Sequence, residues 1–471
     1  MTEEKLALHD YQERALAFAL EKECSYLALK MGLGKTAISL YWAKEVLTTA
    51  KGILVVAPLR AITTTWPDEI AKWQPQLTYT ILHGTKKDAA YEKKSDLYII
   101  NFEGLPWLFK KLKQSFKLTK KVPMRAAIID EGSMIKSPST KRFKIIRKIK
   151  DIFPTYRMIL SGTPSPNSLL DLWSQYFFLD DGRRLGKVFS HFRQEHFKTV
   201  DRDGFVWVIN KGADKIIHKQ VGDITFSLDE KEHIKLPKRI DNVISVNLTP
   251  KQRKEYENLQ EMFFDNLPGV MNDPLGAITL AAKMRQYLQG AIYTGVRIHK
   301  NQFLDKDGKV VKNNPYTIVH KEKLNVLKSL VEEANGQGIL CAIQFRFELD
   351  MIHSVYPKAP VIAGGVKPAE ATKYIRDWNK GKVPLLLCHP ASLSHSVNLQ
   401  TGSHIILWYG MPWSLEQYLQ LNARLHRQGQ TKNVIVHHLI VKNSTDERVV
   451  KALKYKHKNQ REFLQYIIGL R

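Results

Sequence analysis

Cysteine is scarce, with three in 471 residues, at Cys24, Cys341 and Cys388. They lie far apart and form no Cys-x-x-Cys pair, which argues against a disulfide framework and a thiolate zinc site and suits a reducing compartment. No stretch approaches the roughly 18 consecutive apolar residues of a membrane-spanning helix. The opening residues, MTEEKLALHDYQ, lack the basic-then-apolar pattern of a secretory signal. The expectation is therefore a cytoplasmic protein, or a nuclear one if the source is a eukaryote. Acidic residues are few beside basic ones, 46 Asp and Glu against 72 Lys and Arg, a formal charge of +26. That imbalance points to a polyanionic partner, nucleic acid first. A membrane surface is disfavoured, since no basic amphipathic helix with a strong aromatic face stands out. Internal repeats and low-complexity tracts are also missing.

Large cores are affordable: 44% of residues are apolar, and nine Trp, 18 Tyr and 19 Phe are spread along the chain. The length suits two or three domains. Short β-rich apolar runs alternate with helical stretches in two series. The first comprises SYLALK (25–30), ILVVAP (53–58), DLYIIN (96–101), AAIID (126–130) and RMILS (157–161). The second comprises ILCAIQ (339–344), APVIA (359–363), VPLLLC (383–388), HIILW (404–408) and NVIVHHLI (433–440). Such a rhythm predicts α/β lobes whose parallel sheets are covered by helices on both faces. The expected lobes are 1–235, with an insertion from about 180 to 235, and 236–471, with a helical insertion from about 250 to 335. The last 27 residues read as a basic helix.

Within the first series, MGLGKT (31–36) follows a strand and opens a helix. Gly32 and Gly34 permit the tight turn that points backbone N–H groups at phosphates, and the helix N-terminus adds partial positive charge. The nucleotide-binding set is Met31, Gly32, Leu33, Gly34, Lys35 and Thr36. Lys35 reaches the β- and γ-phosphates, and the Thr36 hydroxyl is a magnesium ligand. Asp130 and Glu131 end the strand AAIID, where α/β folds place ligand chemistry. Asp130 suits the metal and Glu131 the orientation or deprotonation of water. A phosphate loop with a paired carboxylate implies ATP and magnesium. In the second series, Arg424 and Arg427 are three apart in a helical stretch, which predicts a shared face able to clamp a γ-phosphate.

These segments, with others, resemble the Swi/Snf family of double-stranded DNA translocases within the superfamily-two helicases, from about residue 8 to residue 457. LHDYQ (8–12) resembles the adenine-sensing motif, with Gln12 as reader. ILVVAPLRAITTTWPDEIAKW (53–73) and IINFEGL (99–105) resemble motifs Ia and Ib. DEGSMIKSP (130–138) resembles motif II, and LSGTPSPN (160–167) motif III, where Ser161 and Thr163 would couple hydrolysis to DNA. LPKRIDNVISVNLTPKQRKEY (236–256), AAKMRQYLQGA (281–291) and ILCAIQFRFELDMI (339–352) resemble the family's entry to the second lobe, its following helix and motif IV. ASLSHSVNLQTGSHIILW (391–408) and QLNARLHRQGQ (420–430) resemble motifs V and VI, adding Asn398 and Gln420 as coupling residues. Trp413 matches a family position beside motif VI.

The resemblance implies two RecA-like lobes that hydrolyse ATP in the cleft between them and move along double-stranded DNA without sequence specificity. The implied output is of the remodelling, annealing or fork-reversal type. Departures are Leu29 and Lys30 for an acidic pair, Ser133 for His or Gln, and Ser396 for Gly. They bear on coupling to DNA and not on the groups hydrolysis needs. No appended reader, nuclease or zinc module is visible, so a monomer, or a motor whose partner protein supplies targeting, is expected. Two other readings stay open: a strand-separating DNA or RNA helicase, and an inert basic DNA-binding scaffold.

Overall fold

A computed structural model describes residues 7–119, 123–149, 156–200, 207–228, 236–265, 282–299, 302–393 and 397–469. The chain forms two compact units, Met1–Lys235 with Tyr455–Arg471, and Leu236–Lys454. Among the described residues, no helix is long and apolar enough to cross a membrane.

The first unit is built on a seven-stranded sheet. Its strands are β1 (Cys24–Leu27), β2 (Ile53–Ala57), β3 (Tyr79–Ile81), β4 (Leu97–Asn101), β5 (Ala126–Asp130), β6 (Tyr156–Leu160) and, after the hairpin β7 (Phe197–Thr199) and β8 (Trp207–Ile209), β9 (Thr225–Phe226). The order is β3-β4-β2-β5-β6-β1-β9, and every neighbouring pair is parallel. Alternate side chains feed two separate cores. Leu54, Val56, Ala127 and Ile129 join one, while Ile53, Val55, Ala126 and Ile128 join the other. Burial on both faces is why these strands read as unbroken apolar runs.

The second unit repeats the plan with six parallel strands: β10 (Arg239–Val246), β16 (Ile339–Ala342), β17 (Val361–Ile362), β18 (Leu385–Cys388), β19 (Ile405–Trp408) and β20 (Val434–Val441), in the order β10-β20-β19-β16-β18-β17. Leu340, Leu386, Ile406 and Trp408 face one core, and Ile339, Leu385, Ile405 and Leu407 the other. Two parallel sheets with helices on both faces are the expected α/β architecture.

Both insertions contain strands beside their helices. In the first unit, β7 and β8 pair as an antiparallel hairpin beside the helix Phe189–His196, with Arg193 over the Trp207 ring at 4.1 Å. In the second, the helix Pro250–Asp265 is followed by five short strands: β11 (Ala291–Tyr293), β12 (Val296–His299), β13 (Gln302–Leu304), β14 (Val310–Val311) and β15 (Tyr316–Ile318). They form two small antiparallel sheets, so the insertion expected to be mostly helical combines a helix with strands. The cause is local. In Asp305-Lys306-Asp307-Gly308, the Asp305 carboxylate accepts from the N–H groups of Asp307 and Lys309, and Gly308 takes φ +75°. That turn chemistry makes a hairpin.

The second unit buries charge. Lys323 donates to Asp446 (2.8 Å), Gln289 (3.0 Å) and the Tyr409 carbonyl (3.1 Å), which satisfies its three N–H bonds. Glu348, wholly buried in the helix Arg346–His353, accepts from the N–H groups of Gln344 and Phe345 through Oε2. Its Oε1 is buried with no partner among the described residues. Burial pushes this carboxyl up to about 7 from 4.5, against those two N–H groups, Lys323 and Arg285. Between those pH values the folded chain holds more protons than the unfolded one. The group's contribution is therefore complete below the window and lost as pH rises through it, about 3 kcal/mol in all. Glu348→Gln keeps an acceptor without the charge. It is expected to raise the urea midpoint relative to wild type at pH 8 by more than at pH 4.5; equal shifts at both would contradict this.

Candidate functional site

In the first unit the chemistry-bearing segments gather at the carboxyl ends of three neighbouring strands, β5, β6 and β1. Leu160 is level with Leu27 on one side and Asp130 on the other. One step further the chain leaves the sheet at all three places. Glu131 N–H donates to the Leu160 carbonyl (2.9 Å), and Ser161 N–H to the Leu27 carbonyl (3.2 Å).

After β1 the chain turns through Gly32 (φ +87°) and Gly34 (φ +70°) into the helix Lys35–Val46. The conformation favours glycine at 34, and a Cβ there, 2.1 Å from Gln12 Nε2, would displace the Gln12 amide. Gln12 is buried. Its Nε2 donates to the Leu33 carbonyl (3.3 Å), and its Oε1 accepts from His9 N–H (2.9 Å). The residue expected to read adenine thus ties the first helix to the loop. Lys35 Nζ donates to the carbonyls of Leu29 (2.8 Å) and Lys30 (3.2 Å), which sets its ammonium inside the loop's curve. Leu29 and Lys30 therefore serve through backbone oxygens, a role indifferent to their departure from the family pattern. Thr36 follows on the first turn, and Met31 N lies 3.5 Å from where a Gly162 Cβ would be.

Asp130 Oδ2 accepts from Trp66 Nε1 (3.0 Å). Burial raises its pKa, opposed by Trp66 and by the charge of Lys35. A carboxylate disfavoured by burial gains from a nearby cation, so the donor set of Asp130 and Thr36 fits a divalent, oxygen-seeking metal beside phosphate.

Glu131 occupies the left-handed region (φ 71°, ψ 69°), an arrangement costing a side-chain-bearing residue about 1–2 kcal/mol. The strained residue turns the chain into the short helix Gly132–Ile135. Gly132 allows it: a Cβ there would lie 2.5 Å from Ile159 and 2.7 Å from Gln175. Ser161 Oγ donates to Glu131 Oε1 (3.3 Å) and accepts from Thr163 N–H (3.1 Å). Ser133 Oγ donates to the same Oε1 (3.0 Å). Thr163 Oγ1 is buried without a partner among the described residues.

Sequence reasoning missed three supporting residues. Trp66 holds Asp130. Gln175 accepts from Tyr26 OH (2.7 Å) and donates to the Pro164 carbonyl (2.8 Å), bracing the loop after β6. It is a buried amide in the helix Leu170–Asp180. Gln460 donates to the Gly162 carbonyl (3.4 Å) from the C-terminal helix, a contact no sequence signal announces.

In the second unit the helix Leu415–Leu425 stops before Arg427, because His426 leaves helical geometry (φ −91°, ψ 77°) and its Nε2 donates to the Pro237 carbonyl (2.8 Å). The expected shared helical face of Arg424 and Arg427 is thereby corrected. Both arginines nevertheless turn to one loop: Arg424 donates to the Val397 carbonyl (3.4 Å) and Arg427 to Asn398 Oδ1 (2.6 Å). Gln420 is buried and donates to Glu416 (3.3 Å). Ser396 lies outside the described residues.

Comparison with known proteins also gives two segments, the first of which runs past Lys235 into the second unit. A family model described as the SNF2-related domain matches residues 11–303, and one described as the helicase conserved C-terminal domain matches residues 322–429. Putative protein p41 of Acyrthosiphon pisum secondary endosymbiont phage 1 is 30% identical over 461 residues, covering 93% of this chain and 94% of the relative. The ISWI chromatin-remodeling complex ATPase ISW2 of Saccharomyces cerevisiae is 24% identical over 474 residues, covering 95% of this chain but 40% of that protein. The chain thus spans less than half of that relative. Among solved structures, a Sulfolobus solfataricus SWI2/SNF2 ATPase core in complex with dsDNA is 22% identical, covers 98% of this chain and 97% of its own, and has a TM-score of 0.44.

Proposed function

Because the chain belongs to the SNF2-related family, whose members are nucleic-acid-dependent ATPases, we propose that it couples ATP hydrolysis to movement along duplex DNA. The observation that carries the coupling is the Ser161 hydroxyl, which joins the loop after β6 to the Glu131 carboxylate. In this reading the loop N–H groups and Lys35 bind the phosphates, while Thr36 and Asp130 hold magnesium. Bound magnesium offsets charge on the β- and γ-phosphates. Glu131 orients the attacking water and takes its proton, and Arg424 and Arg427 supply positive charge as the γ-phosphoryl group departs. Activity then needs groups from both units. Phosphate contacts carry no base information, so DNA of any sequence serves. A partner protein supplies targeting, and the output on DNA is remodelling, annealing or fork reversal.

The test is ATP turnover without nucleic acid and with single-stranded DNA, duplex DNA or duplex RNA, using Glu131→Gln as the blank. Strong stimulation by duplex DNA is expected. Affinity should fall with added salt, with a log–log slope of about −0.9 per phosphate neutralised. Stimulation by single strands or RNA alone would replace this reading with a strand-separating helicase, and no turnover at all would favour a basic scaffold.

A further inference from the structure

We propose that Ser133 is a positioning residue for hydrolysis, holding the Glu131 carboxylate through a hydrogen bond independent of the loop after β6. The inference rests on the reading of Glu131 as the residue that orients water.

Glu131's backbone is fixed by its left-handed geometry and its N–H bond to Leu160, but its carboxylate ends a flexible side chain. Orientation of water to within a fraction of an ångström requires that the carboxylate be anchored. Two hydroxyls anchor one oxygen, Oε1: Ser133 at 3.0 Å and Ser161 at 3.3 Å. They differ in what they move with. Ser133 is buried in the helix Gly132–Ile135, which starts at Glu131 itself. Met134 N–H donates to the Glu131 carbonyl (3.0 Å) and Lys136 N–H to the Ser133 carbonyl (3.3 Å). Gly132 packs that turn against Ile159 and Gln175 too closely for any side chain in its place. Ser133 and Glu131 thus belong to one hydrogen-bonded turn. Ser161 belongs to the following loop, and its hydroxyl also receives the Thr163 N–H.

The division predicts separate roles. Ser133 sets the carboxylate for every turnover, with or without DNA. Ser161 changes the carboxylate's environment when its own loop shifts.

The experiment measures kcat and KM for ATP, with and without duplex DNA, together with affinity for a non-hydrolysable ATP analogue and the melting temperature. The chains compared are wild type, Ser133→Ala, Ser133→Thr, Ser133→Cys, Ser161→Ala and Glu131→Gln. Loss of one charge-assisted hydrogen bond in Ser133→Ala is expected to lower kcat about tenfold, by the same factor with and without DNA. KM, analogue affinity and melting temperature should stay at wild-type values. Ser133→Thr should restore kcat; if its methyl group lowers the melting temperature, Ser133→Cys, a weak donor of similar bulk, should give an intermediate kcat. Ser161→Ala should lower the DNA-stimulated rate more than the basal one. Unchanged kcat in Ser133→Ala, with Glu131→Gln inactive, would overturn the role of Ser133 alone. A parallel fall in kcat, analogue affinity and melting temperature would also overturn it, as a folding defect. Full turnover by Glu131→Gln would instead remove the reading of Glu131 beneath it.

Discussion

Glu131→Gln is expected to lower kcat for ATP by about 10³-fold while leaving ATP binding within about twofold of wild type. The substitution is nearly isosteric, and its amide oxygen can still accept from Ser133 and Ser161. Glutamine at φ 71° meets the same backbone strain as glutamate, so the turn into Gly132–Ile135 should survive. Lost are the negative charge and the ability to take a proton. The binding groups are untouched, since Lys35, the glycine turn and Thr36 stand on the segment after β1 while Glu131 stands at the end of β5. Lys35→Ala makes the contrast. Its ammonium sits in the loop's curve, so its removal should cost nucleotide affinity as well as kcat. Single-turnover hydrolysis with titration of a fluorescent ATP analogue separates the two. Substantial hydrolysis by Glu131→Gln would move the proton-accepting role elsewhere.

The sequence was most informative where burial is complete. Nine of the ten apolar runs contain interior strands of the two sheets, because strands covered on both faces carry an uninterrupted apolar signal, and the tenth, APVIA, contains the edge strand β17. The strands it did not mark, β3, β9 and β10, are sheet edges. β3 spans three residues and β9 two, and β10 keeps most of its eight side chains at the surface although it pairs with β20 along its whole length. Edge strands are held by backbone bonds more than by side chains, so side-chain pattern under-reports them. The phosphate loop and Asp130-Glu131 were legible because their chemistry is packed into consecutive residues. Trp66 and Gln175 were not, because each reaches its partner across the fold: Trp66 is 64 residues from Asp130, and Gln175 is 149 from Tyr26. The arginines failed for a local reason. Three-residue spacing gives a shared face only while the helix lasts, and this one ends at Leu425.

That ending separates what Arg424 and Arg427 should do when changed. Arg424→Lys is expected to lower kcat by about 10³-fold with ATP and duplex DNA affinities near wild type, the scale of loss seen when a charge-stabilising arginine is removed from phosphoryl transfer. The side chain is buried in the helix Leu415–Leu425 and directs one guanidinium nitrogen to the Val397 carbonyl. Lysine keeps the charge but not the planar fork, so it cannot hold that carbonyl and present a second donor in a fixed direction. Arg427 is past the helix, less buried, and steadied by Asn398 Oδ1 at 2.6 Å. Arg427→Lys should therefore cost less, and Asn398→Ala should cost part of what Arg427→Ala does, since removing the amide frees the guanidinium without removing its charge. Steady-state kcat with DNA titration by anisotropy reads all four variants. If Arg424→Lys turned over ATP at the wild-type rate while Arg427→Lys did not, the transition-state charge would come from the turn and the helix arginine would be holding the Val397–Asn398 loop in place.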